Sequence, residues 1–191
     1  MDKKEIVSFF DSCAESWDAD MLKVQWKIDK ILDIAGITEG KTVLDVACGT
    51  GVLIPDYVNK KVSRCVGVDI SRNMIEIASG KFKECDNVSF VCADAEYFDF
   101  GEMFDCTVIY NAFPHFVNRT NLFENILKHA NVRLSKMTDG RFVLYRKEDQ
   151  SKGSSQKGLE LEVFDYENDF QKVKDFVKVI LCKKENDVNC E

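Results

Sequence analysis

An acidic residue followed by regularly spaced small residues marks a ligand-binding turn near position 45. The spacing is Asp45-x-Ala47-x-Gly49-x-Gly51, and it follows a continuous apolar run typical of a strand buried on both faces. Small residues let the backbone turn tightly and approach a ligand closely. The next segment predicts a helix, whose free N–H groups favour polar or anionic ligand groups. Open α/β sheets bind their ligands at this carboxyl end of the strands.

The turn lacks two common nucleotide-binding signatures. A dinucleotide fingerprint would have a third glycine at position 54, where this chain has Ile54. A Walker phosphate loop has Gly-Lys-Ser or Gly-Lys-Thr at the end of the turn after the strand, where this chain has Gly51-Val52-Leu53; its Gly40-Lys41-Thr42 triplet precedes the strand instead. Taken alone, the remaining pattern also fits an ordinary tight turn between a strand and a helix.

Two more acidic residues follow strand-like runs. Asp69 ends the second run, 18 residues after Gly51, close to the spacing at which an acid accepts hydrogen bonds from a ribose. Asp69 could instead cap the following helix, as Ser71 could. Met74, one turn into that helix, is either a core residue or a contact for a flat ring. Asp94 follows the third run, where the alternative is a helix cap or a turn.

A fourth strand-like run ends in a loop of unusual composition. Asn111 ends the run, and residues 112–116 read Ala-Phe-Pro-His-Phe. Because histidine titrates near neutral pH, His115 could act as a general base if an acceptor must lose a proton. The alternative is that His115 packs in the loop, forms a hydrogen bond there or contacts the substrate.

These four motifs, in this order over residues 43–116, resemble class I S-adenosylmethionine (SAM) dependent methyltransferases. The small-molecule type, similar to the ubiquinone/menaquinone-biosynthesis methyltransferases, is the nearest match. Ala47 stands where the family more commonly has a glycine. The resemblance implies an α/β, Rossmann-like doubly wound sheet that is mostly parallel, with strand order 3-2-1-4-5-7-6 and one antiparallel strand. It also implies SAM as the cofactor and in-line transfer of its methyl group to a small-molecule acceptor.

The resemblance assigns roles to individual residues. Asp45 and the backbone of the glycine turn would hold the methionine end of the cofactor, Asp69 the ribose and Asp94 the adenine, while Asn111 would form part of the floor. The full predicted cofactor-binding set is Asp45, Ala47, Gly49, Gly51, Asp69, Ile70, Met74, Asp94, Ala95, Asn111 and Trp17. His115 is the candidate catalytic residue.

We expect one domain over residues 1–191 that begins with a helical cap at 1–36. Apolar residues recur at helical spacing within this cap. Two interpretations are open: the cap packs on the domain as a fixed element, or it is a lid whose aromatic side chains (Phe9, Phe10 and Trp17) close over the cofactor.

The sequence departs from the family after its fifth strand, at 141–145. A polar stretch at 148–158 predicts a short flexible crossover, where the family usually has a further helix. The runs 159–164 and 176–182 then predict an antiparallel pair, and residues 183–191 form a tail. This shortening puts the wall of the acceptor site in doubt. A homodimer partner could cover the gap, the acceptor could be large, or the protein could bind SAM without catalysing a reaction.

Composition limits which partners, metal sites and cellular locations are compatible with the sequence. A formal charge of −7 and a pI near 5.0 argue against nucleic acid or an anionic membrane as the main partner. Eight cysteines without a Cys-x-x-Cys pair, and only two histidines, argue against a zinc site. We expect no signal peptide, because residues 1–5 lead into no long apolar segment, and no apolar run approaches the roughly 18 residues of a membrane span. These features predict a cytoplasmic protein. A nucleotide-dependent oxidoreductase is a further alternative, disfavoured by Ile54.

Overall fold

The computed structural model describes residues 2–130 and, beyond them, the backbone of four strands; the side chains at 20, 34 and from 131 onward are not described. Its elements in chain order are α1 (Lys3–Cys13), α2 (Trp17–Asp20), α3 (Gln25–Ala35), β1 (Thr42–Val46), α4 (Ile54–Asn59), β2 (Arg64–Asp69), α5 (Arg72–Lys81), β3 (Val88–Cys92), β4 (Cys106–Ile109), the 3-10 turn η1 (Phe113–His115), α6 (Arg119–Lys128), β5 (Val132–Lys136), β6 (Phe142–Arg146), β7 (Leu159–Leu161) and β8 (Val179–Leu181).

The main sheet contains five parallel strands in the order β3-β2-β1-β4-β8. In the central strand, Asp45 lies opposite Gly67 of β2 and Val108 of β4. A parallel sheet with helices on both faces is the α/β, Rossmann-like arrangement that the sequence predicts. The predicted order is confirmed for its first four strands, 3-2-1-4.

Helices cover both faces of this sheet, because alternate residues of each strand point to opposite sides. On one face, Val43 packs in a cluster with α3 and α4 that includes Ile28, Leu32 and Tyr57. On the other face, Leu44 packs in a cluster with the apolar side of α6. Two buried layers therefore fix the strand ends that carry the candidate functional residues.

Local signals set the ends of the helices near these strands. The Asp2 carboxylate and the Glu5 side chain form a capping box that starts α1. The Ser71 hydroxyl accepts the Met74 N–H at 3.2 Å and starts α5. Gly36, with φ of +69°, ends α3 in the left-handed conformation.

The C-terminal strands differ from the sequence prediction. The run predicted as the fifth strand of the main sheet forms β6 in a separate antiparallel sheet, with order β5-β6-β7. The place beside β4 is taken by β8, which runs parallel to β4. The predicted antiparallel pairing of 159–164 with 176–182 is therefore wrong for the described parts of those runs, and the positions 5-7-6 are not found in the described strands.

The reason for this difference lies in residues 132–136. Their sequence, Val-Arg-Leu-Ser-Lys, alternates apolar and polar residues as a half-exposed strand does. Once 132–136 is a strand, a connection of five residues brings β6 back against it as a hairpin. The apolar run Val179–Leu181 suits the buried parallel position beside β4.

Two predicted segments, the crossover at 148–158 and the tail at 183–191, lie outside the described residues. The predicted cap at 1–36 contains α1, α2 and α3. Among the described residues, no helix is long and apolar enough to cross a membrane.

Candidate functional site

A cavity of about 730 Å³ lies at the carboxyl ends of β1 to β4, beneath the N-terminal helices. Ten of the eleven predicted cofactor-binding residues line it together with His115. These ten are Asp45, Ala47, Gly49, Asp69, Ile70, Met74, Asp94, Ala95, Asn111 and Trp17. The remaining one, Gly51, is not among the lining residues. The strand ends and the N-terminal segment therefore enclose a single space around the predicted residues.

The turn after β1 uses left-handed backbone at alternate positions. Ala47 and Gly49 both have φ of +56°, and Gly51 has φ of +82°. Ala47 is strained there, because an L side chain in this conformation crowds its own carbonyl oxygen. A glycine at the same position would avoid the strain, which explains in physical terms why this position favours a glycine. Ala47 therefore occupies a backbone conformation that the binding turn requires.

Gly49 and Gly51 need to be small for different reasons. A Cβ atom on Gly49 would lie 3.5 Å from the Trp17 Nε1 atom, at the cavity wall. A Cβ atom on Gly51 would lie 2.6 Å from a ring carbon of Phe82, which is closer than real side chains come. Gly49 thus lines the cavity, with Trp17 at contact distance from the place that a side chain would take. Gly51 instead lets α5 pack against the turn, and this is the physical reason that it falls outside the cavity lining.

Asp45 is a buried carboxyl group at the end of β1. Burial raises its pKa to about 8, and the nearby Asp69 charge raises it as well. Its Oδ2 atom has no hydrogen-bond partner among the described residues. The Tyr57 hydroxyl approaches the carboxyl group and slightly lowers its pKa, without the geometry of a full hydrogen bond. A cation bound beside Asp45 would favour its ionised form and would pair with a carboxylate that has no charged partner among the described residues.

Asp69 holds the neighbouring turns together. Its Oδ2 atom accepts the Gly49 N–H at 2.8 Å, and its Oδ1 atom accepts the Ser71 N–H at 2.9 Å. Burial raises the pKa of Asp69, while these backbone hydrogen bonds oppose the rise. A carboxylate has about four lone-pair sites, more than the donors described here use, so Asp69 can accept a further donor. Asp69 can therefore position the glycine turn and still accept hydroxyl groups from a ligand.

Asp94 lies two residues beyond β3 and is already ion-paired. The Lys3 ammonium pairs with Asp94 and, at 2.8 Å, with Glu96. The Glu96 side chain is buried, and it also accepts the N–H groups of Val117 and Asn118 at 2.8 and 2.9 Å. Burial alone would raise the pKa of Glu96, but the Lys3 ammonium and these hydrogen bonds lower it overall. The acidic end of the cavity is thus tied to both α1 and the loop after η1.

The loop after β4 forms the floor and one side of the cavity. Asn111 has φ of +54°, a conformation that asparagine tolerates better than most residues. His115 lies in η1, and its ring packs edge-on against Phe10 of α1, with 5.3 Å between ring centres. Phe10 packs in the same way against Trp17 at 5.6 Å. These three rings make an aromatic wall of the cavity.

Polar contacts fasten the N-terminal segment over the site. Asp11 accepts a hydrogen bond from the Ser71 hydroxyl at 2.5 Å. Asp18 accepts one from the Thr50 hydroxyl at 2.5 Å and pairs with Lys81 at 2.6 Å. The α1 helix itself buries only Ile6. The segment is therefore held by hydrogen bonds and ion pairs more than by an apolar core of its own.

Sequence reasoning did not identify Lys3 and Glu96 as lining residues. A signal for Lys3 exists, because it shares a helical face with Ile6 and Phe10 at spacings of three and seven. All three residues line the cavity. Glu96 has no comparable signal, because its partners lie 21 and 22 positions later in the chain.

The donor set of the site suits an organic cation better than a metal ion. Within the described part of the chain, no group of three or more His, Cys, Asp or Glu residues is arranged to hold a metal. Three acidic side chains line the cavity at the carboxyl ends of neighbouring strands: Asp45 is the penultimate residue of β1, Asp69 is the last residue of β2, and Asp94 lies two residues beyond β3. The unpartnered Asp45 oxygen and the backbone at Gly49 fit the amino-acid end of SAM, whose ammonium and sulfonium groups are both positive.

Comparisons with known proteins agree with this geometry. Residues 43–132 match a family model described as a methyltransferase domain. A malonyl-[acyl-carrier protein] O-methyltransferase from Acetivibrio thermocellus is 32% identical over 120 residues, which cover 61% of this chain and 42% of the relative. A ubiquinone/menaquinone biosynthesis C-methyltransferase from Haemophilus ducreyi is 32% identical over 125 residues, which cover 56% of this chain and 46% of the relative. The chain thus spans less than half of the length of these curated relatives.

A solved structure supports the fold independently. The magnesium protoporphyrin IX methyltransferase of Synechocystis, crystallised with bound SAM, superimposes with a TM-score of 0.57 at 18% identity. The match covers 69% of this chain and 74% of that enzyme. Identity at this level bears on the fold alone. The comparisons show that residues 43–132 are similar to a methyltransferase domain and that the fold is the α/β, Rossmann-like fold of SAM-dependent methyltransferases.

Proposed function

We propose that this protein transfers a methyl group from SAM to a small-molecule acceptor. The observation that carries the proposal is a row of acidic side chains at the ends of three adjacent strands. This row and the glycine turn line the same cavity. Since β1, β2 and β3 are neighbours in the sheet, Asp45, Asp69 and Asp94 form this row in their chain order. An extended ligand with a charged end, a diol and a base matches that order.

Each part of the row offers a different recognition chemistry. Asp45 and the backbone at Gly49 would bind the amino-acid end, where the carboxylate charge of Asp45 pairs with a cation. Asp69 would accept hydrogen bonds from the ribose hydroxyls, each worth about 1.5–3 kcal/mol to a charged acceptor. Met74 and Ala95 would contact the base. Asp94 would lie beside the edge of the base, and Asn111 would form part of the floor.

The chemistry needs little from the protein beyond orientation. SAM supplies a methyl group on a sulfonium sulfur, which is already an activated leaving group. The residues of the aromatic wall would hold the acceptor in line with that methyl group and keep water away, and such positioning can account for much of the rate acceleration. His115 lies in this wall, where its imidazole would accept a proton from an acceptor that must be deprotonated.

Organisation and location extend this proposal. The chain would act as one domain over residues 1–191, with 1–36 as a cap, 148–158 as the crossover and 183–191 as the tail. It would work in the cytoplasm, with no nucleic acid or membrane as partner, and a homodimer partner would complete the acceptor wall. No observation on the described residues favours a SAM-binding protein without catalysis.

Calorimetric titration tests the cofactor part of the proposal. Wild-type protein is titrated with S-adenosylhomocysteine (SAH), with SAM and with NAD. We expect the two sulfur ligands to bind and to compete with each other, and NAD neither to bind nor to displace them. Tight binding of NAD with no response to either sulfur ligand would contradict the proposal.

Methyl transfer needs a separate assay. Protein and methyl-labelled SAM are incubated with a panel of small acceptors that carry oxygen, nitrogen, sulfur or activated carbon nucleophiles. We expect label to appear in at least one acceptor, and His115→Gln to slow transfer while leaving SAH affinity unchanged. SAH binding without transfer to any acceptor would favour the non-catalytic alternative.

A further inference from the structure

The acidic end of the cavity contains an ion-paired cluster that methyl transfer itself does not use. The Lys3 ammonium pairs with both Asp94 and Glu96. It also lies 4.9 Å from the centre of the Tyr97 ring, within the range of a cation–π contact. Lys3, Asp94 and Glu96 all line the cavity. A ligand that reaches this end therefore meets a positive charge as well as two negative ones.

The two carboxylates of the cluster are already engaged. Asp94 Oδ1 accepts the Glu96 N–H at 3.1 Å, and Asp94 Oδ2 accepts from Lys3. Glu96 Oε1 accepts the N–H groups of Val117 and Asn118, and Glu96 Oε2 accepts from Lys3 at 2.8 Å. Lys3 thus takes one of the two lone pairs of the carboxylate oxygen that an incoming amino group would use as its acceptor, and it places a positive charge beside that oxygen.

The α1 helix holds Lys3 in this position. The capping box of Asp2 and Glu5 fixes the first turn of the helix, which contains Lys3. Near the other end, Asp11 accepts hydrogen bonds from Ser71 and from the Asn73 backbone N–H at 3.2 Å. Burial lowers the pKa of Lys3, but its hydrogen bonds and charge interactions with the two carboxylates raise it overall, so the ammonium stays charged at neutral pH.

We propose that Lys3 determines specificity at position 6 of the purine ring of the cofactor. This inference rests on the proposed function, because it takes the base to lie beside Asp94. An ammonium group donates hydrogen bonds and accepts none. It therefore competes with a 6-amino group for Asp94, and it can donate to a 6-oxo group. The wild-type site would discriminate weakly between adenine and hypoxanthine, and removal of Lys3 would sharpen the preference for adenine.

The test compares two ligands that differ only at this position: SAH and its 6-oxo analogue, S-inosylhomocysteine. Their dissociation constants are measured by calorimetry for the wild type and for Lys3→Met, which keeps an unbranched apolar side chain of similar length. Lys4→Met is the matched control, because Lys4 is exposed on the same helix and the charge change is identical. We expect a wild-type preference for SAH of less than about tenfold, and a preference about tenfold larger in Lys3→Met, equivalent to one charged hydrogen bond.

The ratio of the dissociation constants of SAH and S-inosylhomocysteine separates a change in base specificity from a general loss of affinity. If Lys3 only anchors α1, both ligands weaken equally in Lys3→Met, the ratio stays at its wild-type value, and the inference is overturned while the proposed function stands. If the wild type binds neither ligand, the proposed function fails, and the inference fails with it. Lys3→Arg retains the positive charge, so we expect it to keep the low wild-type ratio.

A second substitution identifies the carboxylate involved. Asp94→Asn, alone and combined with Lys3→Met, completes a double-mutant cycle for the ratio. In the Asp94→Asn background we expect Lys3→Met to leave the ratio of the two dissociation constants unchanged. The reason is that removal of Lys3 then frees no carboxylate oxygen for the 6-amino group. An equal effect of Lys3→Met with and without the Asp94 carboxylate would contradict the inference.

Discussion

The two walls of the cavity are built in different ways. The wall of strand ends is held by hydrogen bonds to the main chain, in which Asp69 accepts the N–H groups of Gly49 and Ser71. The aromatic wall comes mainly from the N-terminal segment. That segment is held at separate points by side-chain pairs such as Lys3 with Asp94 and Asp18 with Lys81. Between those points it presents aromatic rings to the cavity.

This difference assigns a task to each wall. Acidic and glycine positions that belong to a packed sheet cannot move without disturbing the core, so they suit recognition of a fixed cofactor. A segment fastened by ion pairs can open at a small cost, because partly exposed pairs typically contribute no more than about 1 kcal/mol each. We therefore expect substitutions in the strand wall to abolish cofactor binding, and substitutions in the aromatic wall to weaken it.

The largest effect is expected for Asp69→Ala in the strand wall. The change removes the proposed ribose acceptor and also releases the Gly49 and Ser71 N–H groups. Because each hydrogen bond to a charged acceptor contributes about 1.5–3 kcal/mol, SAH affinity should fall by more than about 100-fold. Calorimetric titration measures this loss. Asp86→Ala, at an exposed position without these contacts, should bind SAH as the wild type does.

A smaller effect is expected for Trp17→Ala in the aromatic wall. Trp17 packs over Gly49 and against Phe10, so its removal exposes one side of the ligand. Loss of the buried apolar contact, about 1.5–3 kcal/mol at most, should weaken SAH binding by roughly tenfold. The chain offers a matched control in its other tryptophan, Trp26, which is exposed outside the cavity. An equal loss in Trp26→Ala would argue against a specific role for this wall.

The pH dependence of stability should isolate Asp45. In the unfolded chain an aspartate titrates near pH 3.9, whereas burial raises the Asp45 pKa in the folded protein to about 8. Between these values the folded state holds a proton that the unfolded state lacks, so this group lowers the free energy of unfolding as pH rises. Asp45→Asn removes the titration. At pH 9 the thermal unfolding midpoint of Asp45→Asn should lie roughly 4–8 °C above that of the wild type. This corresponds to a free energy of unfolding that is higher by about 2 kcal/mol.

Thermal unfolding from pH 5 to 9 measures this effect. The gap between Asp45→Asn and the wild type should widen as pH rises through the window, while Asp86→Asn follows the wild type throughout. A constant gap would mean that Asp45 is ionised in the folded protein at all of these pH values. Because Asp45→Asn also removes the proposed partner of the cationic ligand, the more stable variant should bind SAH more weakly.

The smallest expected effect is at Ala47. In the left-handed conformation alanine costs about 1–2 kcal/mol, and glycine avoids that cost but loses about 0.5–1 kcal/mol through its more flexible unfolded chain. Ala47→Gly should therefore raise the free energy of unfolding by less than about 1.5 kcal/mol. Urea denaturation provides the measurement. Ala78→Gly, in the interior of α5, is the control and should destabilise the protein.

Residues close in sequence to a strand end were predictable, because one motif determines both the strand and the position of its functional side chain. Asp45, Asp69 and Asp94 each follow an apolar run, and parallel pairing brings the ends of such runs to one edge. The role of Gly51 was less accessible from sequence, because its small size serves a contact with Phe82. The spacing of a motif predicts that a glycine is needed at this position, but it does not identify the residue whose packing requires the glycine.

Features that depend on distant pairing were not predictable. The Lys3 pairs join residues 91 and 93 positions apart, and no local pattern encodes such a contact. The same limit explains the C-terminal strands. The alternating run Val132–Lys136 and the apolar run Phe142–Arg146 specify strands but not the partners of those strands. Their pairing as a local hairpin differs from the strand order implied by the family.

Hydrogen exchange of the backbone amides, with and without saturating SAH, tests most directly the claim that both walls enclose the cofactor. We predict slower exchange in the strand wall, over residues 45–52, 69–74 and 93–96, and also in the N-terminal segment over 3–17. Exchange in the second half of α3, away from the cavity, should not change. Protection of the strand wall alone would leave the aromatic wall without a role in binding. Bound SAH with no protection at 45–52 or 69–74 would contradict the account.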